Sequence, residues 1–462
     1  MADRRSSRAL SLGLLLLAPS CGGARLGPNG DTHALGAELV PAGSSPDGVE
    51  PPLAGRDPER DELAALHEAM RIAERLRSLR FTRPVRVRVQ SRDDITAFVR
   101  SRLEDDELEQ ARLVYGALGL LPADLDLRAL VVSVMGEQIA GFYDPRRHTM
   151  VVRDDVMHEM SSLVARGGTI LGAPSAMVLV HEYVHALQDQ RLGLDDDEDD
   201  SRTTDEDNAY AALVEGDATL TMLGIGLAQS GRTLDDVTRP RGLLRAQMSD
   251  DVESGPAGSE LAGAPAILRA PLLYRYLDGL TFVGDLHGGH DDPRRSGFAA
   301  IDAAFGAPPT STEQVLHPGR YASGERPAPI VLPALACLER AGFEAVDEDT
   351  LGELELSVFL GQGTSRDRDR DGAAGWDGDR LRVYHRAAAE GGEALAFLWI
   401  SRWDDEREAV EAEASARRVA ASLATPAGPM RVRRDGRALA ISAGLGETGE
   451  LEAEAALTAI AR

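Results

Sequence analysis

The segment Met177–Gln190 reads MVLVHEYVHALQDQ, apolar nearly all round at helical spacing, yet it carries His181, Glu182 and His185. A helix without a polar face has to be buried. Two imidazoles and a carboxylate do not enter a core without partners. The fold must therefore wrap other elements round this helix and supply something for its three polar side chains to hold. Pro174 stands where a first-turn proline is favoured, and the helix is expected to run to about Gln190.

A chain of 462 residues, 43% hydrophobic, can afford such a core and should hold two domains, or one large domain with an appendage. The net charge of -26 argues against nucleic acid and against unaided docking on anionic lipid. Arg4, Arg5 and Arg8 precede an apolar run from Ala9 to Ala18, too short to span a bilayer but suited to a secretory signal. The run ends at Leu17-Ala18-Pro19-Ser20-Cys21, which resembles a bacterial lipoprotein cleavage site. That resemblance implies residues 1–21 as signal, lipidation of Cys21, and anchorage outside the cytoplasm on a bacterial membrane; plain secretion is the alternative. Residues 22–58, rich in Gly, Pro, Ala and Asp without a hydrophobic period, read as a flexible tether. No later segment reads as apolar for long enough to cross a membrane. Cys337 is the one other cysteine; it reads as a buried small hydrophobe and excludes a zinc site built on thiolates.

Helical spacing from Asp61 to Leu76 is followed by Pro84–Val89, which alternates with period two and predicts a strand. A helix over about Asp94–Leu118 comes next. Gly141–Pro145 and Thr149–Val152 then predict a strand pair turning at Arg146-Arg147-His148, with His148 exposed in the turn. A further helix, Asp207–Leu227, carries Glu215. The acidic stretch Asp195–Asp200 reads as a solvated loop rather than a calcium site. From about 346 the pattern changes to short strands (Leu381–His385, Leu395–Ile400), a helix (Asp405–Leu423) and a hairpin (Met430–Arg433 with Ala438–Ser442) turned at Asp435-Gly436. This reads as a small α+β domain, 346–462, after a main domain of 59–345.

On a helix, positions four apart differ by about 40° in azimuth, so His181 and His185 can share one metal ion. Glu182 lies beside them, placed to take a proton from a water that zinc has made acidic, with a pKa near 7. This is the HExxH arrangement of a zinc hydrolase. A catalytic zinc wants a third protein ligand, and three acids offer one. Asp189 falls on roughly the same face of the same helix as His185 and could at best fix an imidazole from behind. Glu215 and Asp217 sit about 200° apart on their helix, so only one can face the ion. Glu215 has the longer reach and is followed by Gly216, which would permit close packing on the His181 helix.

HExxH joined to a glutamate thirty residues after His185 resembles the gluzincin metallopeptidases. The chain departs from their Glu-x-x-x-Asp pattern, since Thr219 stands at the fourth position. The resemblance implies a zincin-like α+β fold with a mixed sheet, one catalytic Zn2+ on His181, His185 and Glu215, and Glu182 as general base. It implies a sheet edge along the cleft, where a peptide or protein substrate adds as a strand. It also implies a later His or Tyr that stabilises the oxyanion; His317 and Tyr321, beyond the polar run Pro308–Gln314, are the candidates. The expected activity is peptide-bond hydrolysis. A zincin-fold binding lipoprotein and a zinc hydrolase of a non-peptide amide are the alternatives.

Two other segments carry metal-binding residue types. His287-Gly288-Gly289-His290 with Asp291 and Asp292 could bind a second metal, but glycine-rich turns face solvent. Asp367–Gly372 imitates the start of an EF-hand loop, but its twelfth position is Gly378 rather than Glu. Gly375–Asp379, like the segment Pro308–Pro318, resembles a motif of bacterial relatives of the zincins.

Overall fold

The computed structural model describes residues 53–173, 175–194, 202–247, 260–291, 294–387 and 392–461. The signal segment, Cys21, most of the tether, Pro174, the acidic loop 195–200 and Asp292 lie outside the described residues. The chain is α+β, with one small mixed sheet and one larger antiparallel sheet.

The small sheet has strand order β1 (Arg86–Gln90), β3 (Thr149–Arg153), β2 (Gly141–Asp144). β1 runs parallel to β3, and β2 pairs with β3 antiparallel, leaving β2 at the edge. The expected strand at Pro84–Val89 and the expected strand pair after it are all present. The tether stops short of residue 58: Leu53 is buried, and Arg56 exchanges both backbone hydrogen bonds with Val89. The single helix expected over 94–118 is two helices, Arg92–Arg102 and Asp105–Ala117. Leu103 turns extended to bury its side chain, and Asp105, Asp106 and Glu107 start a new helix where its N-terminal dipole favours acids.

The motif helix, Ser175–Leu192, is buried from Leu179 to Gln188. It packs on the first helix, Arg60–Arg77, on β2 and on the glutamate helix, Thr204–Gln229. Leu66, Met70, Val87, Met150, Tyr183 and Val184 join in one apolar cluster that holds it against the small sheet. The glutamate helix is long and apolar enough to cross a membrane, contrary to the expectation of no such segment, but it is mostly buried inside the protein. On its other side lies a covering helix, Ala266–Gly288, which no hydrophobic period had brought out. The two cross where Gly216 meets Gly279: a Cβ on Gly216 would lie 2.4 Å from the Gly279 carbonyl oxygen. Gly216 thus permits close approach to the covering helix and not, as expected, to the motif helix.

Residues 344–443 build the larger sheet, β4 (Glu344–Asp349), β5 (Trp376–Ala387), β6 (Glu393–Trp403), β7 (Arg431–Asp435) and β8 (Ala438–Ala443), in order β4-β5-β6-β8-β7, antiparallel throughout. The expected hairpin is β7–β8, turning at Gly436 with φ +55°. The largest apolar cluster takes Leu113, Phe142 and Val151 from the first part of the chain and Trp376, Trp399 and Ile441 from the last. The C-terminal sheet is therefore continuous with the core that supports the small sheet.

Candidate metal centre

Three donors converge. His181 Nε2 lies 3.0 Å and His185 Nε2 3.7 Å from Glu215 Oε2. Two ligands about 2.1 Å from a tetrahedral ion sit about 3.4 Å apart, so these spacings bracket what zinc requires. The ligand atoms of His181, Glu182 and His185 also lie within 4.8 Å of one another. All four side chains are 1% exposed. His185 Nε2 and Glu215 Oε1 have no hydrogen-bond partner, a cost that a cation would relieve.

The tautomer of His185 follows from its neighbours. Gln188 Nε2 donates to the Val214 carbonyl at 3.0 Å and to Asp217 Oδ2 at 2.9 Å, which fixes the amide so that Oε1 faces His185 Nδ1 at 2.8 Å. An amide oxygen only accepts, so Nδ1 carries the proton and Nε2 presents its lone pair to the metal position. Asp217 in turn pairs with Arg77 Nε at 2.6 Å, and Arg77 Nη2 with Asp302 at 2.6 Å, the guanidinium lying fully buried over the Phe298 ring. Asp217 therefore supports the centre from behind, as its azimuth requires.

Asp189 does not fix a motif imidazole. It accepts from Tyr143 Oη at 2.6 Å and from Arg83 at 2.8 Å, and holds His148 Nδ1 at 2.9 Å, tying the motif helix to the β2–β3 turn. Gln188, one residue earlier, takes the role given to it, because a side chain three positions after His185 lies closer to the imidazole's Nδ1 edge.

Glu182 accepts from the Tyr143 backbone N–H on the edge strand β2 at 3.1 Å. Burial pushes its carboxyl up to about 8, with the negative charge of Glu215 adding to the rise. Burial would also raise Glu215, but the two imidazoles overcome it and hold the carboxyl down to about 2. For His185 burial works downward and Glu215 prevails, lifting the ring to about 9; His181 is lowered by burial. These balances come from protein groups alone, and a divalent cation would drive both imidazoles to the neutral, ligating form.

Two expected site residues are not brought here. His317 Nε2 meets Glu353 Oε1 at 3.0 Å and lines a cavity of about 410 Å³. Tyr321 donates to the Ala307 carbonyl at 2.9 Å and lines another of about 590 Å³. None of His181, Glu182, His185 or Glu215 lines either cavity. The aromatic side chain that does approach is Tyr276 of the covering helix, its ring centroid 6.0 Å from that of His181. No spacing in the sequence pointed to it, since the contact runs between helices 95 positions apart.

The remaining motifs are structural. Asp379 accepts from the Leu351 and Gly352 amides and from the indoles of Trp376 and Trp399, at 2.8–3.2 Å, which accounts for the Gly375–Asp379 motif. In the polar run, Thr312 donates to Asp205 through both N (2.8 Å) and Oγ1 (2.5 Å). Asp367 pairs with Arg269, and Asp369 with Arg418 and Ser415. His287 meets Thr238 and His290 meets Asp285. Among the described residues, neither of these last two segments gathers a metal-binding cluster.

Residues 339–454 match the domain of unknown function DUF8575. That span covers the C-terminal sheet and leaves the metal centre outside it. No curated protein and no solved structure matches the chain.

Proposed function

We propose that the protein is a zinc-dependent peptidase with a zincin-like main domain. The observation that carries the reading is the convergence of His181 Nε2, His185 Nε2 and Glu215 Oε2, with Glu182 in the same buried cluster. When bound, zinc supplies a Lewis acid that polarises the scissile carbonyl and acidifies a water. Glu182 takes the proton from the attacking water and passes it to the leaving amine. His185 is held in the ligating tautomer by Gln188, so no reorientation is needed on binding. The mixed sheet with β2 at its edge, bonded to Glu182 through the Tyr143 amide, supports the zincin-like reading and the placement of an extended peptide there.

A second reading, a structural zinc in a binding protein, is favoured by one observation: all four polar side chains are closed off from solvent. Glu182 separates the two. A structural site needs no base beside the ligands, whereas a peptidase does. Glu182→Gln is expected to keep zinc and fold while lowering hydrolysis of a peptide library by about 100-fold or more. Equal hydrolysis by both forms, or none by the wild type, would return the centre to a structural role.

A further inference from the structure

The covering helix buries a cation that has no ion-pair partner among the described residues. Arg275 is 8% exposed, and its one hydrogen bond among the described residues runs from Nη2 to the neutral Asn208 Oδ1 at 3.0 Å. Its Nε is buried with no partner. Asp278, one turn further along the same helix, is held instead by Arg368, at 3.4 Å. Arg77, the other buried arginine among the described residues, behaves differently: it has Asp217 and Asp302. A desolvated guanidinium without a counter-charge is costly, and a protein that keeps one is built to receive an anion.

Its position says which kind. Asn208 and Glu215 are seven residues apart on the glutamate helix, so they share a face to within about 20° and lie about 10 Å apart along the axis. The residue after Arg275 is Tyr276, whose ring faces His181. Arg275, on Asn208, is thus set about three residues' length of extended peptide from the metal centre, at about 3.4 Å per residue. We infer that Arg275, seated on Asn208, is a docking point for a carboxylate of the bound peptide, so that this protein prefers peptides carrying a negative charge within about three residues of the scissile bond. The planar fork of arginine offers a carboxylate two parallel hydrogen bonds, and Nε with one Nη is the edge that remains. The inference takes the peptide nature of the ligand from the peptidase reading, but carboxylate binding does not itself require turnover.

The test measures binding by calorimetry to the zinc-loaded Glu182→Gln protein, so that substrate is not consumed. The probes are N-acetyl-trialanine as free acid and as C-terminal amide, and N-acetyl-Ala-Glu-Ala amide against its Gln counterpart. The charged member of at least one pair is expected to bind about tenfold tighter or more than its neutral twin. Which pair shows the preference tells a C-terminal carboxylate from an acidic side chain. Adding Arg275→Gln should bring the ratio close to one, and Arg275→Lys should restore part of it, with thermal unfolding confirming that each variant is folded. Equal affinity for charged and neutral peptides in the Arg275 protein, absence of binding included, overturns the inference, as does a preference that survives in Arg275→Gln. A preference that depends on Arg275, in a protein whose wild type cleaves none of these peptides or a wider library, would leave the carboxylate site standing and remove the peptidase reading.

Discussion

The glutamate helix carries buried carboxylates at two places, and it treats them in opposite ways. Near its middle, Glu215 faces two imidazoles and Asp217 faces Arg77, and the charge of Glu215 is stabilised so well that its carboxyl is held down to about 2. At its start, Asp205 accepts from the amide and hydroxyl of Thr312, and burial pushes its carboxyl up to about 8. Asp349 and Glu355 nearby are pushed up as well, by burial and by neighbouring acids, with hydroxyl partners in Thr204 and Tyr115. The two regions separate carboxylates set against basic groups from carboxyls held by hydroxyls. In the first, Glu215 is set against two imidazoles and Asp217 against a guanidinium. In the second the carboxyls join the helix start to the C-terminal sheet and tolerate a proton. Gly352, at φ +78°, belongs to that joint, because a Cβ there would lie 1.8 Å from Asp205 Oδ1.

The largest effect expected from this contrast is at Arg77. Arg77→Met strands the buried Asp217 carboxylate, and chemical denaturation should show a loss of about 3–5 kcal/mol. A loss below about 1 kcal/mol would mean that the ionic region is not held by its pairs.

The next is at Gln188. Gln188→Ala frees the His185 ring without touching a ligand, and zinc affinity by competition with a chelator should fall about 10-fold to 100-fold. Unchanged affinity would show that the tautomer is set by something else.

The smallest is at Asp205. Asp205→Asn keeps an acceptor for Thr312 and removes a charge that the site disfavours, so at neutral pH it should cost about 1 kcal/mol or less. Its mark is in the pH dependence. The folded carboxyl, near 8, lies above an unfolded value of about 3.9, so its contribution to stability is full below about pH 4 and is lost as pH rises through about 8. Wild-type unfolding midpoints should therefore fall between pH 5 and pH 8.5, and the slope should be shallower in Asp205→Asn. Identical slopes would place Asp205 among the ionised groups.

The first region was legible in the sequence, and the second was not. His181, Glu182 and His185 share a helix, where a fixed rise and turn convert spacing into geometry, and Glu215 stood out as an acid in an apolar run. Gln188 lies in the same helix, but its role depends on Val214 and Asp217 of another element, which no spacing reveals. The strands β1 to β3 and the β7–β8 hairpin were visible from alternation and turn residues. The covering helix was not, because Pro271 and its many small residues hide the period, and Arg275 and Tyr276 went with it. His317 and Tyr321 drew attention as polar residues without a helical reason. That reason proves to be tertiary, in Glu353 and the Ala307 carbonyl.

Zinc stoichiometry after dialysis against a mild chelator tests the central claim most directly. The wild type should retain close to one zinc per chain, Glu215→Ala should lose it and any peptidase activity with it, and Asp205→Asn, ten residues earlier on the same helix, should retain it. A wild type that holds no zinc, or a Glu215→Ala protein that holds as much as the wild type, would contradict the metal centre described here.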